Sequence, residues 1–505
     1  MAGRLAKAAT IAAALTCSLA LTACDAFAAW EENADQDGQR WTAPADVAPP
    51  ELSWTDCQDG VQCTTMTVPV DWQEPDGPDT KVNVVRLPAS APERRAGSVV
   101  LHFGAGHGTS NVLGQLPASI ESLTKRFDVV VFDTRGLGKE DNGTLIECAE
   151  PPASVYGLVP ELSEQSWQDQ IDQNTAYNDS CRKAAGEAFD GLTSWQVAHD
   201  LEALRAGLGE EKLRYIGNSY GTVFGQAYAE LFPEQIGQMY LDGVADHTQP
   251  DLEKWLGNYA RTHENQLARF DEWCAESENC TLRGDEIGEV WQELMAEAEQ
   301  SPLPAPGAGE GKTVSLGQLY VGALRGMSLP PTWPLLAQAL EQARSGDAGA
   351  FLTDPLAEPS PEQVNGIQQS LQCREFVPNQ PSYGEFEQME ERLREIAPRF
   401  GWLSARMEVG RCLGIPDDPA YPPHPLQAED APPVLVGIGE TDNNTPNLGG
   451  QHVAEQLPGA RELWHGDGHA AYLHGNSCLG ERVETYLLDG TLPPAGTTCE
   501  AELLP

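Results

Sequence analysis

The feature that most limits the fold of this chain is an alternation that stops and later resumes. Between Ser98 and Val244, short apolar runs such as "SVVLHFGAG", "FDVVVFDTRG", "KLRYIGN" and "IGQMYLDGV" alternate with helical patterns. In "TSWQVAHDLEALRAGLG", Thr193 or Ser194 is placed to cap a helix, Val197, Leu201, Leu204 and Leu208 share one face, and Gly209 stands near its end. Apolar strands separated by helices predict an α/β fold, with a mostly parallel central sheet and helices on both faces. From residue 246 to 430 the pattern turns mostly helical and acidic, and "PPVLVGIGETD" then restores strand character. The expectation is a core in two parts, 54–245 and 431–505, with a helical insertion at 246–430 lying over the strand ends as a lid.

That frame gives meaning to "LRYIGNSYGTVFG", residues 213–225, where a Gly-x-Ser-x-Gly pattern joins a strand to a helix. A serine on such a turn is exposed at the sheet's carboxyl edge, and the flanking glycines relieve crowding. Ser219 is the expected nucleophile, which needs a histidine base and an acid to orient that base. In this arrangement the acid and then the histidine follow the serine along the chain. Asp442 in "GETDNNTP" and His469 in "HGDGHAAY" each follow a late strand, where ligands bind in open α/β sheets. Glu440 is a weaker candidate for the acid, and His465 and His474 for the base. An oxyanion needs donors, the first expected from the backbone N–H of Tyr220 and the second from the glycine-rich loop "HFGAGHGTS" at 102–110.

The first 24 residues carry Arg4 and Lys7, then an apolar run to Leu21, which reads as a secretory signal. "LTAC" ending at Cys24 has the form of a lipobox, making Cys24 the expected lipidation site of a cell-surface lipoprotein, with "AFA" at 26–28 as the competing site for release to the medium. Residues 25–53, rich in Asp, Glu, Ala and Pro, read as a tether. Of twelve cysteines, Cys17 falls in the signal, leaving besides Cys24 the set Cys57, Cys63, Cys148, Cys181, Cys274, Cys280, Cys373, Cys412, Cys478 and Cys499. An even set in an exported chain predicts disulfides, paired between sequence neighbours. No C-x2-C pair is present, and neither a metal nor an organic cofactor is expected. A net charge of -45 argues against nucleic-acid binding and suits cationic partners such as a peptide's free α-ammonium. Contact with the membrane is expected only through the lipid anchor.

Taken together, "DLEALRAGLGEEKLRYIGNSYGTVFGQAYAELFPEQIGQMYLDGV", "FDVVVFDTRGLG", "PPVLVGIGETDNNTP" and "DGHAAYLHGNSC" resemble the exported tripeptidyl aminopeptidases of the proline iminopeptidase group of α/β-hydrolases. The resemblance runs from about residue 50 to 500 and is weakest in the lid. It implies the α/β-hydrolase fold, a triad of Ser219, Asp442 and His469, and removal of short peptides from free N-termini. The group usually has Pro-Gly-Gly-Pro-Gly-Gly in its oxyanion loop, where this chain has "FGAGHG". The second donor therefore falls on Ala105, or on Gly104 if the alignment shifts by one. Glu375 in "QCREF" occupies a position where the group often carries an acid, and is the expected partner of the substrate amine. An esterase or lipase, a proline iminopeptidase, and a non-catalytic peptide-binding lipoprotein are the alternative readings.

Overall fold

The computed structural model describes residues 49–58, 60–104, 108–109, 118–138, 143–328, 330–357, 366–415 and 421–502. The signal, Cys24, most of the tether and Ala105 lie outside them.

A ten-stranded sheet runs through the molecule. Its strands are β1 (Thr55–Gln58), β2 (Val61–Pro69), β3 (Asp79–Leu87), β4 (Ser98–His102), β5 (Asp128–Phe132), β6 (Leu213–Asn218), β7 (Ile236–Asp242), β8 (Leu435–Gly439), β9 (Arg461–His465) and β10 (Thr498–Cys499). They lie in the order β1-β2-β3-β5-β4-β6-β7-β8-β9-β10. The pairs from β5 through β4 to β10 are parallel and those on the β1 side antiparallel, which is the α/β-hydrolase sheet expected from the sequence. Central strands read as unbroken apolar runs because both faces are covered. Val129, Val130 and Val131 are fully buried, each side chain contributing about 1.5–3 kcal/mol by its removal from water.

Helices α1 (Ala118–Leu123) and α13 (Ser477–Asp489) pack on one face through Ile120, Leu123, Leu479, Val483 and Leu487. Helices α3 (Ser194–Gly207) and α4 (Gly221–Leu231) are buried among the core's other apolar residues, and α12 (Asn447–Gln456) lies between β8 and β9 in the chain. Thr193 caps α3, its side chain accepting from the Gln196 amide. The Asp-x-Arg-Gly turn after β5 has a structural task. Arg135 is 3% exposed, forms a bidentate pair with Asp200 of α3 at 2.5 and 2.8 Å, and donates to the carbonyls of Pro69, Val70 and Gly191.

The insertion comprises α5 (Leu252–Glu276), α6 (Ile287–Gln300), α7 (Leu316–Ser328), α8 (Trp333–Arg344), α9 (Gly366–Phe376), α10 (Tyr383–Ile396) and α11 (Leu403–Gly410). An earlier helix, α2 (Glu164–Ala185), joins it, since Gln170 and Asn174 donate to the Gly410 carbonyl. The ten cysteines form Cys57–Cys63, Cys148–Cys181, Cys274–Cys280, Cys373–Cys412 and Cys478–Cys499, all pairs of sequence neighbours. Among the described residues no helix is long and apolar enough to cross a membrane.

Candidate active site

Ser219 stands between β6 and α4 with φ 54°, a left-handed conformation that costs a non-glycine residue about 1–3 kcal/mol and persists only where the surroundings enforce it. Its amide donates to the Asp242 carbonyl at 3.0 Å, and its own carbonyl accepts from the Thr222 amide at 2.9 Å. The flanking glycines are steric requirements. A Cβ on Gly217 would lie 2.6 Å from the Gly221 carbonyl oxygen, and one on Gly221 would lie 2.9 Å from that of His102. The serine thus sits at the N-terminal end of α4, where the helix dipole favours negative charge.

Adjacent strands bring in the other two groups. Asp442 follows β8 and is 1% exposed, and His469 follows β9. The His469 ring nitrogen Nδ1 lies 3.1 and 2.9 Å from the two Asp442 oxygens. Gly243, after β7, adopts φ +60° and packs so tightly that a Cβ there would sit 2.9 Å from His469 Nδ1 and 3.1 Å from Asp442 Oδ2. A short path therefore links Ser219, through the Asp242 carbonyl and Gly243, to the acid–base pair. The Asn444 and Thr445 amides and the Thr445 hydroxyl donate to the Asp442 carboxylate at 3.0, 2.9 and 2.6 Å. Burial opposes ionisation of Asp442, but His469 and the two Thr445 donors hold its pKa below the ordinary carboxylate value. Burial likewise disfavours the imidazolium of His469, yet the Asp442 charge and hydrogen bond, with Asp242 beyond, raise its pKa.

Helices of the insertion hold the acid loop from above. His263 Nε2 lies 3.0 Å from the Asn443 carbonyl, and burial pushes its pKa down to about 4, so it is neutral and donates from that nitrogen. The Ser328 hydroxyl donates to the Asn443 side chain at 2.7 Å, which in turn donates to the Leu324 carbonyl at 2.9 Å. The weaker candidates are elsewhere engaged. Glu440 forms an ion pair with Arg269 at 2.6 Å, with both side chains about two-fifths exposed. His474 is exposed, and His465 is buried 3.9 Å from Asp242.

Tyr220 opens the first turn of α4 with αR geometry, directly after the serine. Gly104 backs it: at φ +106°, a Cβ there would lie 2.7 Å from the Ser219 Cβ. The Gly104 amide is committed, however, to His102 Nδ1 at 3.2 Å. Burial lowers the His102 pKa to about 3, so the ring is neutral, accepts at Nδ1 and donates at Nε2 to Thr134, 3.1 Å away. Gly104 thus supplies room for the serine, and its N–H points to the His102 ring.

A cavity of about 370 Å³ opens at Ser219 and Tyr220, within the range of small-ligand sites. The insertion supplies apolar lining through Trp255, Tyr259, Leu324 and Phe376, and charged lining through Arg325, Glu408 and Arg411, the last two pairing at 3.3 Å. Burial raises the Glu408 pKa against the pull of Arg411. Glu375 does not line this cavity. It is 1% exposed, with Oε1 accepting from the Ser194 amide at 2.5 Å and Oε2 accepting from the Ser194 hydroxyl at 2.6 Å and from the Tyr220 hydroxyl. Where a contact with a substrate amine is expected, both oxygens meet internal donors. Sequence reasoning missed Thr445, His102 and Glu408. Only Thr445 left a local signal, three residues after Asp442 in a run of turn formers.

Residues 397–499 match the family described as TAP-like protein. The whole chain is similar to serine protease Hip1 of Mycobacterium tuberculosis (29% identical, covering 90% of this chain and 93% of that protein). It is also similar to the tripeptidyl aminopeptidase of Streptomyces coelicolor (26%, covering 92% and 88%) and to carboxylesterase B of M. tuberculosis (27%, covering 92% and 93%).

Proposed function

We propose that this serine hydrolase is an exported exopeptidase that releases short peptides, tripeptides in the first instance, from free N-termini. The observation that carries the reading is the cavity lined by both Ser219 and the half-buried Glu408 and walled by the helical insertion. Ser219 Oγ attacks the scissile carbonyl while His469 Nε2 takes its proton, Asp442 fixing the tautomer from the Nδ1 side. The Tyr220 and Ala105 amides receive the oxyanion. His469 then protonates the leaving amine, and water, deprotonated by the same ring, hydrolyses the acyl-enzyme. Glu408 replaces the water lost by the substrate's α-ammonium, which a buried ammonium requires. Five disulfides suit an oxidising compartment, and Cys24 carries the lipid that retains the chain at the cell surface.

The test compares a free tripeptidyl-anilide, its N-acetylated form and a p-nitrophenyl ester. Acetylation removes the charge that Glu408 would meet and adds bulk at that end. A loss of about 100-fold or more in kcat/KM, equivalent to roughly 3 kcal/mol, is expected. Equal rates on the two peptides would remove the exopeptidase reading. Fast ester cleavage with neither peptide turned over would favour the esterase reading, which the similarity to a carboxylesterase keeps in view.

A further inference from the structure

We infer that Glu375 is a positioning residue for the oxyanion site, acting from the helical insertion through Tyr220. The inference rests on the reading above, in which the Tyr220 amide receives the oxyanion. The direction of that N–H is set by the strained backbone at Ser219 and by the seat of the residue that carries it. Tyr220 is 6% exposed, and its ring packs against Phe224 and Phe376 with centroids 5.5 and 5.9 Å away. Its hydroxyl donates to Glu375, which simultaneously receives both donors of Ser194, the first residue of α3. One carboxylate on α9 thus ties an insertion helix to α3 and to the residue beside the nucleophile.

A carboxylate is a demanding choice for such a joint. Burial pushes its pKa up to about 7, against the pull of the Ser194 and Tyr220 hydrogen bonds and of Arg374. Simple packing of the insertion on the core would be met by an apolar side chain. Three converging donors call for an acceptor with two oxygens, and one of these oxygens holds the Tyr220 hydroxyl while Phe224 and Phe376 flank its ring. Displacing the ring would let the Tyr220 peptide rotate away from where negative charge develops, and preorganised donors contribute only when their direction is already set.

The experiment is a double-mutant cycle of Glu375→Ala and Tyr220→Phe, with Glu375→Gln as the conservative variant, read on the free tripeptidyl-anilide, its acetylated form and the p-nitrophenyl ester. Glu375→Ala should lower kcat by about 10- to 100-fold on all three, with KM within about twofold, because the oxyanion is common to every acyl transfer. Tyr220→Phe should reproduce part of that loss, and the double variant should be no slower than Glu375→Ala. Glu375→Gln, which still offers an acceptor oxygen, should recover at least part of the rate. Losses that multiply in the double variant, or a rise in KM confined to the free peptide, would overturn the proposal, the latter by returning Glu375 to the substrate amine. If Glu375→Ala does not fold, the cycle built on Glu375→Gln and Tyr220→Phe carries the same criterion. Failure of the underlying reading would appear separately, as activity retained in Ser219→Ala.

Discussion

At the residue scale, a nucleophile, a base and an acid were legible because each demands an unusual local setting. A serine between two glycines at a strand-to-helix junction, and an aspartate and a histidine just past later strands, can be picked out by position. The sequence already ranked Asp442 above Glu440, and the coordinates add the contacts, Asp442 on His469 and Glu440 on Arg269. The same contacts predict the pH dependence. His469 must be neutral to accept the serine proton, and its pKa is raised in the folded enzyme. Activity should therefore fall as pH drops through a value above the ordinary 6.5 of histidine. In Asp442→Asn the residual activity should show this acidic limb at lower pH, and an unmoved limb in the kcat/KM profile would contradict the assignment. Ser219→Ala should lower kcat by several orders of magnitude, on the order of 10⁶ by comparison with other triads. Thr445→Val removes a 2.6 Å donor to the same carboxylate. It should lower kcat by about 10- to 150-fold, corresponding to the ~1.5–3 kcal/mol of a hydrogen bond to a charged group, with the fold intact by circular dichroism.

At the scale of elements, the central strands and α3 were legible from period and capping, and the edges were not. The sequence places a strand at "TMTVPVDW", but β2 starts four residues earlier and ends at Pro69, because it pairs with β1 in a hairpin turning at Gly60 with φ +76°. That hairpin's exposed first strand has no apolar alternation to announce it. Helix α2 likewise has a polar sequence whose contacts, such as Gln170 and Asn174 on Gly410, are amide bonds that hydrophobic periodicity cannot register. Disulfides reinforce these joints unequally. Cys373–Cys412 spans 39 residues and ties α9 to the turn after α11, two walls of the cavity, whereas Cys57–Cys63 spans only six on an exposed hairpin. Replacing both cysteines of the first pair by serine should cost about 3–4 kcal/mol by the chain-entropy estimate and raise KM for the tripeptidyl-anilide. The same change in the second pair should lower the thermal midpoint less and leave KM alone.

At the scale of the whole molecule, 76 acidic residues against 31 basic ones make the folded chain repel itself. Its thermal midpoint should rise as sodium chloride goes from about 10 to 500 mM, because the Debye length shrinks from roughly 30 Å to under 10 Å; a flat dependence would mean that the acids are already balanced locally. Anchoring is tested at the same scale: Cys24→Ala should release the protein to the medium or leave its precursor uncleaved. A mature wild-type chain found to start at Ala29 without lipid would refute the lipid anchor. What the sequence determined by itself was the order of the core strands along the chain and the residues at their carboxyl ends, because hydrophobic period and turn chemistry are local and need no partner to be read. What only the tertiary structure decided was how the insertion meets that core. The burial of Glu375 against Tyr220, the presence of Glu408 in the cavity and the grip of His263 and Ser328 on the acid loop all join residues far apart in sequence. In so acidic an insertion, composition cannot say which carboxylate turns inward, since that choice depends on donors supplied from other elements after the chain has folded.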